Sequence, residues 1–323
     1  MNLVDSFGRA HTYLRISVTD RCNFRCVYCL PKHGIQWTPK SDILSYEELA
    51  RIVHVFAQLG IQKIRLTGGE PTMRADIWTL IASLCRIEGI QEVNMTTNGY
   101  TLPKMAQPLY DAGLRKLNIS LDTLDAEIFH KMSRGFSIKP VLRGIERAQE
   151  IGFSLKLNAV ILKGINENAI FPLLDFCAAR NIVLRFIEYM PFETRWHQCV
   201  TSAEIQNRIS QLHTLSPLSA GSLSGPAQTY WIPEKKMRVG FISPLSNKFC
   251  ASCNRLRLSC KGELRTCLAH EDAPSLGSLL RNNATDTQLR KQIQKQVLGK
   301  KEGHFCEEES GTPFQGVMTR IGG

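Results

Sequence analysis

No stretch of this 323-residue chain approaches the ~18 consecutive apolar residues of a membrane-spanning helix. The opening MNLVDSFGRA lacks a charged start followed by an apolar core, so neither a span nor a leader is expected and the cytoplasm is the default address. Acidic residues are scarce. Only 29 Asp and Glu face 40 Lys and Arg, and the net charge of +11 calls for an anionic partner: nucleic acid, a membrane surface or a polyphosphate. Aromatic residues make up 8% and do not interleave with the basic ones, which counts against a single-strand nucleic-acid platform. The histidines fall in no metal-ligand spacing, and no repeat of solenoid period occurs. Hydrophobic content of 43% and charged content of 21% are those of an ordinary globular chain, and the length favours two domains or one large one with an appendage.

Cysteine is what the chain has in excess. Eleven of them, an odd number, argue against a disulfide framework. Cys22, Cys26 and Cys29, in YLRISVTDRCNFRCVYCLP, offer three thiolates from one short loop and withhold a fourth. Structural zinc closes with four ligands, whereas an iron-sulfur cubane on three thiolates leaves one iron open for a cofactor or substrate. Cys250, Cys253 and Cys267 form a second triad, with Cys260 midway between its members, so a zinc clip using all four thiols stays open as an alternative. Cys85, Cys177, Cys199, Cys260 and Cys306 otherwise read as small core residues or bystanders.

Strand and helix signals alternate along the first part of the chain. Strands are predicted over Tyr13–Thr19, Gln62–Leu66, Glu92–Thr96, Lys116–Leu121, Ser154–Val160 and Val183–Glu188, with amphipathic helices between them. Ser45 and Glu48 form a capping box at the first helix. The expected fold is α/β: an incomplete (β/α)6 TIM-like barrel over residues 1–190 and a C-terminal domain over 191–323. In that second part a helix is expected over Val200–Leu212, a loop over SPLSAGSLSGP, strands over Thr229–Ile232 and Met237–Ile242, and a helical region over Ser275–Leu298.

The cysteine spacing after a first strand, with Tyr28 just before the last thiol, resembles the radical S-adenosylmethionine superfamily. Gly68, Gly69, Glu70 and Pro71, which alone would be an ordinary strand-to-helix turn, stand where that superfamily has its second element. Across almost the whole chain, GRAHTYLRISVTDRCNFRCVYC, KIRLTGGEP, NMTTNG, LNISLDTLD, KLNAVILKGINEN, RFIEYMP and FCASCNRLRLSCKGELRTCL resemble the GTP 3′,8-cyclase family of molybdenum-cofactor biosynthesis.

The resemblance implies two [4Fe-4S] clusters. Cys22, Cys26 and Cys29 would hold the one that binds S-adenosylmethionine, and Cys250, Cys253 and Cys267 the one that binds guanine, leaving Cys260 without a ligand role. It also implies that Tyr28, Gly69, Ser120 and Met190 hold S-adenosylmethionine, and that Arg15, Lys63, Arg65, Thr96, Lys156, Arg185, Arg255 and Arg257 contact GTP. Gly322 and Gly323 would enter the active-site cavity, although a terminal Gly-Gly is commonly just a flexible end. Strand alternation puts Lys63 with Arg65, and Arg255 with Arg257, on shared faces, and forked arginines suit phosphate oxygens.

The implied reaction begins with cleavage of S-adenosylmethionine to methionine and a 5′-deoxyadenosyl radical, which abstracts the ribose C3′ hydrogen of GTP. C3′ then attacks C8, and reduction with protonation gives (8S)-3′,8-cyclo-7,8-dihydro-GTP. Expected partners are a flavodoxin- or ferredoxin-type electron donor and the next enzyme of cyclic pyranopterin formation. No membrane or nucleic acid is expected, and a homodimer is one option for assembly. The rival readings are another twin-cluster radical enzyme that modifies a peptide, and a zinc-stabilised nucleic-acid-binding protein.

Overall fold

Six strands follow one another in both sequence and space: β1 (Tyr13–Ser17), β2 (Lys63–Thr67), β3 (Glu92–Thr97), β4 (Lys116–Ser120), β5 (Ser154–Val160) and β6 (Val183–Ile187), each pairing in parallel with the next. Parallel neighbours need crossovers. These are supplied by α1 (Tyr46–Gln58), α2 (Ile77–Cys85), α3 (Leu102–Asp111), the pair α4 (Ala126–Ser133) and α5 (Lys139–Ile151), and α6 (Ile170–Ala178). The computed structural model describes residues 2–190, 196–219, 225–269 and 274–303.

Strand periodicity separates two environments. Leu14, Ile16, Ile64, Leu66, Met95, Leu117, Ile119 and Leu157 are fully buried on the face covered by helices. α1 contributes Leu49, Ile52, Val53, Val55 and Phe56 to that core. Its start is fixed by the expected capping box, in which Glu48 N donates to Ser45 Oγ at 3.1 Å and Ser45 N donates to Glu48 Oε2 at 2.7 Å. The alternate residues of the same strands are polar, and they form the opposite face.

Beyond β6 come α7 (Ser202–Ser210), β7 (Ser216–Leu218), β8 (Gln228–Ile232), β9 (Met237–Ile242), β10 (Arg255–Leu258), β11 (Leu264–Arg265), α8 (Leu276–Arg281) and α9 (Asp286–Leu298). These later strands extend the first sheet at both edges. β9 adds parallel to β6, followed antiparallel by β8 and β7, while β10 adds parallel to β1, followed antiparallel by β11. The spatial order is β11-β10-β1-β2-β3-β4-β5-β6-β9-β8-β7, the extended wall of a partial barrel. Buried Glu188, just past β6, ties the two parts together by accepting from Ser202 N at 2.9 Å, Ser246 N at 3.1 Å and Leu245 N at 3.2 Å.

One expectation is corrected and another is resolved more finely. Ser216–Leu218, assigned to a loop for its Ser and Pro content, pairs with β8. The helical region over Ser275–Leu298 is two helices, because Asn283 takes φ 58° after α8 and Thr285 restarts the chain as the cap of α9. Among the described residues no helix is long and apolar enough to cross a membrane.

The turn after β2 shows why its glycines are needed. Gly69 N donates to Thr19 O at 2.7 Å and Glu70 N to Arg21 O at 2.8 Å, so this turn lies directly on the start of the first cysteine loop. A Cβ on Gly69 would fall 2.3 Å from Arg21 O, and one on Gly68, whose φ is +151°, 2.4 Å from Thr19 O. Gly69→Ala is expected to displace the loop, destabilise the protein by about 1–3 kcal/mol and reduce iron uptake at Cys22, Cys26 and Cys29. Thermal unfolding and iron content after anaerobic reconstitution test this, and parental values for both would refute the close-approach account.

Candidate active site

β1 ends and the chain turns through Val18–Asp20 into the loop holding Cys22, Cys26 and Cys29. The loop is anchored at several points. Val27 N donates to Met132 O at 2.9 Å, Cys29 N to Cys26 O at 3.0 Å, and Phe24 packs edge-on against Tyr100 and Phe129 at 5.5 and 5.9 Å. Burial pushes the Cys22 and Cys29 thiols up to about 12, helped by Glu70 at the first and Asp122 at the second, and pushes Cys26 well above its ordinary value. Three thiolates would therefore not coexist here without a cationic guest, which is what a metal cluster supplies.

Cys26 opens onto a small cavity lined also by Phe24, Tyr28, Asn98, Ser120 and Asp122. The Tyr28 hydroxyl donates to Asp122 Oδ2 at 2.7 Å, and Val160 N donates to the other carboxylate oxygen at 2.8 Å. Burial raises Asp122 to about 6 against these bonds. Tyr28 and Ser120 are thus brought together beside Cys26, while Gly69 and Met190 lie outside this lining. Gly69 supports the loop from beneath, and Met190 is buried just past β6.

The second triad has a different environment. Cys253 N donates to Cys250 O at 3.1 Å, while Lys300 Nζ and an Arg255 guanidinium nitrogen approach Cys253 Sγ at 3.6 and 3.7 Å. Burial opposes the Cys253 thiolate, yet Arg255 and Lys300 bring the group down to about 7. Cys253 and Cys267 both act on Arg257 and Lys300, so the triad occupies one corner of the molecule. Cys260 points elsewhere: it is buried, its Sγ lies 3.9 Å from Thr38 Oγ1, and burial raises it to about 11. A four-thiol zinc clip loses its fourth member. Among the described residues no three Cys, His, Asp or Glu side chains converge as ligands of a single ion would, whereas a cubane distributes its thiolates over separate irons.

Between the two triads lies the polar face of the sheet. The first loop leaves the C-terminal end of β1, and Cys253 precedes the N-terminal end of β10, whose Arg255 stands in register with Tyr13. The triads therefore sit at opposite ends of adjacent parallel strands. A row of arginines crosses the space between: Arg265, Arg257, Arg15 and Arg65 are successive register partners on β11, β10, β1 and β2, followed by Asn94 on β3. Lys156 on β5 and Arg185 on β6 belong to the same charged group. Burial, Arg185, Lys63 and Arg65 together lower Lys156 to about 8, while burial and Arg65 lower Arg185 to about 10. Burial with Arg257, Arg65 and Arg255 nearby lowers Arg15, and burial with Arg255 lowers Arg257 to about 10.

Thr96 joins this face through a 3.4 Å contact from Arg65. Lys63 is held by Glu92 at 2.6 Å, and Arg255 lies 4.6 Å over the Phe249 ring. Arg265 Nε and Nη1, Asn94 Oδ1 and Asn158 Oδ1 are buried with no hydrogen-bond partner among the described residues. Each such atom costs about 1–3 kcal/mol unless a guest satisfies it. A buried cationic surface with unmet donors is suited to a polyanion.

Gly322, Gly323 and Cys306 lie outside the described residues. Sequence reasoning missed Tyr13, whose hydroxyl accepts from Arg65 Nε, along with Asp122, Asn98, Lys300 and Arg265. Asn98 and Asp122 lie in NMTTNG and LNISLDTLD, so a signal existed for both. Glu70 was quoted only as part of its motif. It is buried, accepts from Thr97 Oγ1, Asn98 N and Thr72 Oγ1 at 2.7, 2.7 and 2.6 Å, and thereby fixes the loop that carries Asn98.

Comparison with known proteins gives this geometry a context. Residues 16–177 match the Radical SAM superfamily and residues 182–306 match Molybdenum Cofactor Synthesis C. The chain is 43% identical to the GTP 3′,8-cyclase of Paracoccus denitrificans (strain Pd 1222) over 309 residues, covering 94% of this chain and 89% of that one. It is 42% identical to the GTP 3′,8-cyclase of Pseudomonas putida (strain W619) over 329 residues, covering 99% and 98%. SuiB of Streptococcus suis, in its S-adenosylmethionine-bound crystal structure, shares the fold with a TM-score of 0.59 at 16% identity, over 87% of this chain and 68% of that one. By these matches the chain belongs to the GTP 3′,8-cyclase family of the radical SAM superfamily, whose chemistry rests on S-adenosylmethionine and an iron-sulfur cluster.

Proposed function

We propose that this chain converts GTP to (8S)-3′,8-cyclo-7,8-dihydro-GTP, an early step of molybdenum-cofactor biosynthesis, with one [4Fe-4S] cluster on Cys22, Cys26 and Cys29 and a second on Cys250, Cys253 and Cys267. The observation that carries the reading is the row Arg265, Arg257, Arg15 and Arg65 set between two cysteine triads. Cys22, Cys26 and Cys29 would hold the cluster that, once reduced and with S-adenosylmethionine bound, would supply a 5′-deoxyadenosyl radical to take the C3′ hydrogen. Bonding of C3′ to C8 would then be completed by one electron from the external donor and one proton.

The chain's own residues bind, orient and balance charge. Arg15, Lys63, Arg65, Lys156, Arg185, Arg255 and Arg257 receive the triphosphate and ribose. An anion among them offsets the burial and mutual repulsion that lower Arg15 and Lys156. Thr96 orients the substrate beside Arg65. Tyr28, fixed by Asp122, lines the S-adenosylmethionine pocket with Ser120, while Gly69 supports the cysteine loop and Met190, buried just past β6, is assigned to S-adenosylmethionine by family resemblance alone. In this reading residues 1–190 form the partial barrel that generates the radical and supply Arg15, Lys63, Arg65, Thr96, Lys156 and Arg185 to the nucleotide, while 191–323 add the second cluster with Arg255 and Arg257. The protein acts in the cytoplasm, takes electrons from a flavodoxin- or ferredoxin-type donor, and hands its product to the enzyme forming cyclic pyranopterin. A homodimer is compatible with all of this.

Turnover of the anaerobically reconstituted protein with strong reductant, S-adenosylmethionine and GTP tests the proposal: cyclised product supports it, and unchanged GTP beside two assembled clusters overturns it. Cys26→Ala should abolish 5′-deoxyadenosine formation, whereas Cys253→Ala should chiefly impair GTP use. Equal loss of deoxyadenosine in both would contradict divided roles. Arg257→Leu removes charge-assisted hydrogen bonds worth about 1.5–3 kcal/mol, so the KM for GTP should rise about 10- to 100-fold with S-adenosylmethionine binding retained. An unchanged KM would remove Arg257 from the site.

A further inference from the structure

Tyr13 stands on the polar face of β1, in register with Lys63 on β2 and Arg255 on β10. It is only 4% exposed. An aromatic residue in a strand flanked by Leu14 and Ile16 reads as core, yet its neighbours are cations. The hydroxyl accepts from Arg65 Nε, Lys63 Nζ lies 5.2 Å from the ring centroid and the Arg65 guanidinium carbon 5.8 Å. Arg65 is thereby held at two points, Nε to Tyr13 and one outer nitrogen 3.4 Å from Thr96 Oγ1.

Resting on the GTP reading above, we propose that Tyr13 is a positioning residue of the substrate cavity: its hydroxyl engages the inner nitrogen of Arg65, turning the fork of that guanidinium toward the bound triphosphate. A guanidinium presents donors in a fixed plane, so fixing Nε fixes the direction of the other two nitrogens. The ring adds a second effect, since its face holds the Lys63 ammonium through cation–π attraction while Glu92 pairs with the same ammonium at 2.6 Å. Thr96 completes the arrangement but cannot replace it, because its single contact leaves the guanidinium free to swing about that atom.

The same position has an electrostatic signature. Burial would raise the Tyr13 hydroxyl, but Arg65, Arg15 and Lys63 overcome it and bring the group down to about 8. Arg185 and Arg257 also feel the Tyr13 charge. Above that pH the phenolate adds a negative charge to a cavity built for anions, so GTP binding must weaken, and bound GTP must in turn drive Tyr13 back to its neutral form. Lys156, brought down to about 8, loses a positive charge over the same range and weakens binding in the same sense. Replacing Tyr13 removes one of these two contributions.

The test is GTP binding to the reconstituted holoprotein, parent against Tyr13→Phe, Arg65→Lys and the double variant, across neutral to alkaline pH. Tyr13→Phe keeps the ring and loses the hydroxyl, so affinity should fall about 3- to 10-fold. Because Tyr13 acts through Arg65, the double variant should bind no worse than Arg65→Lys alone. The alkaline decline of affinity should be shallower in Tyr13→Phe than in the parent. Parental affinity in Tyr13→Phe, losses that multiply in the double variant, or an unchanged alkaline slope each overturn the proposal. A parent that binds S-adenosylmethionine but no GTP overturns the functional reading itself. Should Tyr13→Phe fail to accumulate, the parent alone decides by its phenolate absorbance near pH 8. Tyr28 and Tyr46 are raised by burial, so loss of the signal on adding GTP supports the assignment to Tyr13, and an unaltered signal overturns it.

Discussion

Strand register forces like charges together. Neighbouring strands lie ~4.8 Å apart, so a basic residue at the same level of four adjacent strands makes a row of mutually repelling guanidinium groups. Arg265, Arg257, Arg15 and Arg65 are such a row. Glu92 is engaged by Lys63 and Lys116, Tyr13 accepts from Arg65, and two nitrogens of Arg265 remain unpaired among the described residues. A surface that concentrates positive charge in this way is suited to a bound polyanion. The apolar opposite face makes the arrangement affordable, because Leu14, Ile16, Ile64, Leu66 and their neighbours bind the same strands firmly to the helices.

The two cysteine triads treat charge in opposite ways. Around Cys22, Cys26 and Cys29 the protein supplies burial and nearby carboxyl groups, so the thiols stay neutral until a metal cluster provides the positive charge. Around Cys253 it supplies Arg255 and Lys300, which stabilise a thiolate in advance. In the proposed mechanism this difference matches the division of labour: one site is tuned around an electron-transferring cofactor, the other merges with the cationic wall that holds the substrate.

Much of this was legible in the sequence because it is local. Period-two alternation and capping signals located β1 to β6 and the helices between them, and thiol spacing singled out both triads. Lys63 with Arg65 and Arg255 with Arg257 were paired correctly because alternation within a strand needs no tertiary knowledge. What lay beyond reach depends on partners distant in the chain. That β9 and β10 extend opposite edges of the first sheet follows from pairings with β6 and β1, and no pattern within β9 or β10 announces either. Tyr13 looks like core because its cationic surroundings come from other strands. Cys260 sits midway through the second triad in sequence, yet in space it faces Thr38. The glycines of the turn after β2 were linked to a cofactor, but their immediate constraint is contact with the backbone of Thr19 and Arg21.

The central claim is that the buried cationic face exists to hold a triphosphate between the two triads. Its most direct test is equilibrium binding of GTP, GDP and guanosine to the reconstituted protein at fixed ionic strength. Affinity should fall stepwise as phosphates are removed, and the difference between GTP and guanosine should shrink as salt is added. Equal affinity for all three, insensitive to salt, would contradict the account.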